Sequence, residues 1–194
     1  TWAAQGGRAA ILARLRNPAD RARIRAEMAA ARSDRYWDNV WIGSTRHPAN
    51  APYTGQPIAR AAAAWNLHPL DAALRFMETD ELFTGGIFFG MSEANMWRIL
   101  AKPWVMIGSD ASLRAPTGPL SQDHPHPRAY GTFAKFMRAA LDGKTVPVGE
   151  AVRKMTSLPA RWFRLSDRGE VRPGAYADLV ALAPATFRDR ATYT

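Results

Sequence analysis

The 194-residue chain has the length of one ordinary domain and falls short of a complete (β/α)8 barrel, which takes about 250 residues. With 47% apolar and 22% charged residues, a buried core is feasible and wholesale disorder is not expected, and the lack of Cys excludes disulfides, thiolate catalysis and Cys-ligated zinc within this sequence. A formal charge of +9 suits nucleic acid, an anionic surface or an acidic partner without choosing among them. No apolar run approaches the ~18 residues of a membrane span and no signal-peptide pattern opens the chain. A soluble, cytoplasmic protein is therefore expected. Its first residue, Thr1, reads as the start of a processed or partial chain.

In chain order, Asn17-Pro18 is a helix-start signal, an N-cap followed by Pro at the first helical position, and predicts a helix from Pro18 to about Arg32. Its apolar positions, Ile24 and Met28, are sparse among arginines, so one narrow stripe packs and the rest is solvated. The arginines of residues 8 to 35 lack interleaved stacking aromatics, which argues for a solvated helix face over nucleic-acid binding. The aromatic and β-branched run from Tyr36 to Gly43 reads as a strand entering a Pro- and Gly-rich loop. Helices are expected near Ile58 to Ala63 and from Pro69 through Met77. His47 and His68, each before a Pro, read as surface or capping residues. The glycine-flanked run Gly86 to Gly90 reads as a strand buried on both faces, followed by a helix capped by Ser92 and then a second buried strand from Trp104 to Asp110, ending in a polar cluster. That order is a βαβ pattern. Helices are predicted over 130–141, 148–155 and 159–165, and a last strand over 178–182.

Two positions suggest chemistry. Asp110 follows the small pair Gly108-Ser109 at the C-terminal end of the Trp104 to Ile107 run, where polar residues of parallel α/β folds face the active-site mouth. A carboxylate there suits a general base, a metal ligand or a cap on the next turn. The stretch His124-Pro125-His126-Pro127-Arg128 spaces two imidazoles as in metal sites, but its prolines argue against regular strand geometry. A rigid loop presenting Arg128 to a carboxylate is the more natural use, and an ion pair with a neighbouring acid such as Asp123 is the alternative.

The motifs WVMIGSD (104–110), HPRAYGTF (126–133), EAVRKMTSLPA (150–160) and DRGEVRPGAYADLV (167–180) resemble those of the N-acyl-D-amino-acid deacylases, or D-aminoacylases, of the amidohydrolase superfamily. Weaker similarity at GQPIAR (55–60), DAAL (71–74) and MSE (91–93) extends the resemblance over nearly the whole chain. It implies an α/β fold, a metal-dependent (β/α)8 barrel joined to a small β-sandwich. Residues 1–165 would supply the C-terminal part of the barrel, and 166–194 the start of the sandwich segment.

The activity implied is zinc-dependent hydrolysis of the amide bond of N-acyl-D-amino acids, with the main zinc ligands expected upstream of this chain. By position, Asp110 matches the aspartate that deprotonates the attacking water and can touch a metal. Arg128 matches the arginine that holds the substrate carboxylate, and Ser44 is a further substrate contact. The expected partners are an N-terminal chain or segment completing the barrel and a small N-acyl amino acid, with neither nucleic acid nor membrane. Family members commonly have Gly after the aspartate where this chain has Ala111, and the loop from Asp110 to His126 is longer than usual. Cyclic amide or dipeptide hydrolysis, and a non-catalytic scaffold half of a two-chain complex, are the alternatives.

Overall fold

The computed structural model describes residues 1–121 and 125–192. The chain divides into two units, one formed by Thr1–Gly90 with the described residues of 115–126, the other by Met91–Arg114 with residues 127–192. Among the described residues no helix is long and apolar enough to cross a membrane.

The first unit opens with helices α1 (Gly7–Arg16) and α2 (Pro18–Ala31). The Asn17 side chain accepts the N–H groups of Ala19 and Asp20, both at 3.0 Å, as the helix-start signal predicts. Ile24 is the buried residue of α2 and Met28 packs partly beside it, the expected narrow stripe. Helix α1, not anticipated, has little apolar periodicity and buries only Leu12 and Leu15. The run from Tyr36 splits in two, a 3-10 turn over Asp34–Asn39 and then strand β1 (Val40–Ser44). After β2 (Gln56–Pro57), helices α3 (Ile58–Ala64) and α4 (Pro69–Thr79) lead to β3 (Gly85–Phe88). Leu15, Ile42, Ile58, Leu70, Leu74 and Phe76 form the centre of the core.

The sheet order is β2-β1-β3, with both pairings antiparallel. Trp41 stands opposite Ile87 and Ser44 opposite Gly85, with a register irregularity between Ile42 and Ser44. The expectation of a β3 buried on both faces is corrected: Ile87 is buried while Phe88 is 60% exposed. An antiparallel strand covered on one face alternates in this way, and its apolar run is not a sign of a parallel interior.

The second unit contains α5 (Glu93–Leu100), α6 (Arg128–Leu141), α7 (Val148–Met155) and α8 (Ser157–Trp162). Ser92 caps α5 by accepting the Asn95 N–H at 3.3 Å. Ile107, Phe136, Ala140, Val146 and Ala151 form its core, with Trp97, Leu100 and Met155 packed against them. The predicted strand from Trp104 to Asp110 is not one, so the βαβ pattern is not completed, and no strand forms over 178–182. A strand exists only with a neighbour to share its backbone hydrogen bonds. Here the carbonyls of Lys102 and Val105 instead accept from the Lys154 ammonium, and the Ile107 N–H donates to the Lys154 carbonyl at 3.4 Å. Among the described residues from 163 onward there is no helix or strand; the stretch is tied by ion pairs such as Arg161–Glu170 at 2.6 Å and Arg168–Asp178.

Candidate active site

Asp110 and Arg128, 18 residues apart in the numbering, come together in the second unit: Arg128 Nη1 lies 3.0 Å from Asp110 Oδ2. Arg128 is the first residue of α6, and Phe136 and Ala140 of the same helix belong to the core cluster that holds Ile107. One helix thus frames both the guanidinium and the chain that leads, three residues on, to the carboxylate. Asp110 has a left-handed backbone with φ +50°, which Asp tolerates better than most residues. Beside it the Ala111 N–H donates to Ser109 Oγ at 3.3 Å.

The carboxylate is 91% exposed and the guanidinium 46%, so as an ion pair alone it contributes about 0–1 kcal/mol. The electrostatics favour an anion at this spot. Arg128 places a cation at the positive end of the α6 dipole, and no acid lies in that helix's first turn. Asp110 supplies the compensating charge, and a ligand carboxylate is the kind of group that competes with it. Asp123, the sequence alternative for pairing with Arg128, lies outside the described residues, as does His124.

Ser44 lies in the first unit, at the end of β1. Its hydroxyl occupies the space beside Gly85, where a Cβ would come within 2.5 Å of Ser44 Oγ. The loop that follows is fixed by Asp80, a residue the sequence reading passed over. Asp80 Oδ1 accepts from Thr45 Oγ1 at 2.9 Å, the Arg46 N–H at 2.7 Å and the His47 N–H at 2.6 Å, and Oδ2 accepts from Thr84 Oγ1 at 2.8 Å. Burial pushes this carboxyl up, but the hydrogen bonds from His47, Thr84, Arg46 and Thr45 outweigh it and hold the group below its ordinary value. A signal was present: an acid at the C-terminus of an amphipathic helix opposes the helix dipole, so it needs donors of its own. His47 and His68 act as the caps expected of them, their Nδ1 atoms accepting the N–H groups of Ala49 at 3.3 Å and Leu70 at 3.2 Å.

Among the described residues no three His, Cys, Asp or Glu side chains converge on a point that could hold a metal ion. Among the described residues Asp110 is paired to Arg128 and is not joined by two further ligating side chains.

Comparison with known proteins gives a consistent set of relatives. The chain is 37% identical over 163 residues to the N-acyl-D-glutamate deacylase of Alcaligenes xylosoxydans xylosoxydans, covering 84% of this chain and 30% of that protein. It is 43% identical over 110 residues to the D-aminoacylase of the same organism, covering 56% and 21%. Among solved structures, the N-acyl-D-glutamate deacylase of Bordetella bronchiseptica, complexed with zinc and a phosphonate mimic of the reaction's tetrahedral intermediate, superposes with a TM-score of 0.68 at 33% identity. That likeness covers 82% of this chain and 31% of the other. A D-aminoacylase structure superposes with a TM-score of 0.61 at 36% identity, over 79% and 30%. The chain therefore spans less than a third of the length of these relatives. Residues 54–194 match the family model for amidohydrolases, and on that match, together with the relatives, the chain belongs to the amidohydrolase family.

Proposed function

We propose that the chain contributes to hydrolysis of the amide bond of N-acyl-D-amino acids, as the C-terminal part of a zinc-dependent enzyme whose barrel is completed by an N-terminal chain or segment. The observation that supports this reading most is the meeting of Asp110 and Arg128, the two residues the deacylase motifs single out, at 3.0 Å. Exposed apolar side chains such as Phe88, Ile99 and Trp104 are consistent with further protein against both units. In this reading the main zinc ligands belong to the N-terminal part, and Asp110 is this chain's own contact to the metal.

In this reading Arg128 grips the substrate α-carboxylate through its planar fork. The incoming carboxylate replaces Asp110 as its partner. Asp110, released, accepts the proton of the attacking water and returns it to the leaving amine nitrogen, a role typically worth about 10²–10⁴-fold.

The test compares two substrates in the native protein. Arg128→Ala removes a charge-assisted contact of about 1.5–3 kcal/mol, so kcat/KM for an N-acyl-D-glutamate should fall roughly 10- to 150-fold. The matching substrate without the α-carboxylate should lose far less. Equal losses for both would make Arg128 a structural partner of Asp110 and remove the main support for the reading.

A further inference from the structure

Lys154 is fully buried on α7, beside Ala151. Removing an ammonium from water is costly unless acceptors replace the solvent, and an apolar side chain would fill the same volume without that cost. The acceptors here are the carbonyls of Lys102 and Val105, the latter at 2.7 Å. Both lie in the irregular segment that follows α5. The same stretch is held a third time by the Ile107 N–H, which donates to the Lys154 carbonyl. Arg153, the residue before, adds a bond from its Nη2 to the Pro103 carbonyl at 2.6 Å. The end of α7 therefore takes over, with side chains, the hydrogen bonding that a neighbouring strand would give. Three residues beyond Ile107, the chain reaches Asp110.

We propose that Lys154 is a positioning residue: by binding the carbonyls of Lys102 and Val105, its ammonium sets the course of the segment that delivers Asp110 to Arg128. The consequence for turnover rests on the deacylase reading above, whereas the consequence for the segment does not. A displacement of about 1 Å at a reacting group can cost up to about 10²-fold in rate, so a lysine that never touches substrate can still control kcat.

The experiment uses the native protein and three variants. Lys154→Met keeps the length and removes the donors, and Lys154→Gln keeps one donating group. Val146→Ala loosens the same apolar cluster without touching either carbonyl. Hydrogen exchange at the amides of Val105 and Ile107, read well below the unfolding temperature, should quicken at least about tenfold in Lys154→Met, less in Lys154→Gln, and little in Val146→Ala. With an N-acyl-D-amino acid, kcat should fall about 10- to 100-fold in Lys154→Met while KM stays within about threefold, and Val146→Ala should change neither. Similar exchange in all variants, or equal kcat losses in Lys154→Met and Val146→Ala, would overturn the proposal, as would failure of both Lys154 variants to fold. If the unaltered protein does not cleave the substrate, the functional reading fails, and the exchange comparison still decides the role of Lys154.

Discussion

In the first unit, β1 is flanked on both sides by strands that share its backbone hydrogen bonds, while the apolar residues of α3 and α4 join the sheet in one core. In the second, none of the residues from Lys102 to Asp110 is in a strand, and the segment takes hydrogen bonds from Lys154 and Arg153 on α7. The first arrangement is resistant because each strand bond is supported by the next. The second depends on a few long side chains, but it leaves the end of the segment exposed and aimed by its neighbours, which suits a residue that must meet a ligand. Both units contain a buried charge, and each charge organises a loop: Asp80 gathers N–H and O–H donors, and Lys154 gathers carbonyls.

That contrast can be broken first at Asp80. Asp80→Ala leaves two loop N–H groups and two hydroxyls without their acceptor and should cost about 3 kcal/mol or more, read from urea unfolding midpoints. A loss below about 1 kcal/mol would mean that water serves the loop equally well. Asp110→Asn should do the opposite. Unfolding should be nearly unchanged, because the carboxylate is exposed, while turnover of an N-acyl-D-amino acid falls by at least about 10²-fold. Near-normal turnover would take the general-base role from Asp110.

Acid sharpens the comparison further. Because the folded-state value of Asp80 lies below its unfolded value of about 3.9, its contribution to stability is complete above that pH and is lost as pH falls through the folded value. Unfolding midpoints measured from pH 6 down to 3 should fall less steeply in Asp80→Asn than in the unaltered protein; parallel curves would contradict the assignment. The smallest effect is expected at Asn17, where Ala removes a cap worth about 1 kcal/mol. Thermal unfolding should show that loss, and Asn17→Asp should avoid it.

What could be read from the sequence was mostly local. Asn17, Ser92, His47 and His68 cap helices they precede by one residue, so their role is written within four residues of chain. The pairing of β1 with β3 spans more than forty residues, and nothing in either run says antiparallel. The strand expected over Trp104 to Asp110 failed for the same reason, since an apolar run records burial and not the identity of what satisfies its backbone. Lys154 was invisible because lysine on a short helix ordinarily lies in water. Asp110 was marked by its place after an apolar run and Arg128 by its Pro-flanked loop, and the motifs added their roles; their meeting depends on α6 packing on Ile107.

The left-handed turn of the backbone at Asp110 also limits which amino acids the position can accept. Most side chains pay roughly 1–2 kcal/mol there, whereas Gly, Asn and Asp are the usual occupants. Of those three only Asp carries a charge. Glutamate, chemically an equal proton acceptor, is disfavoured by backbone shape before its reach is considered. An alanine variant would mix conformational penalty with lost chemistry, so Asn is the replacement that reads the carboxylate alone.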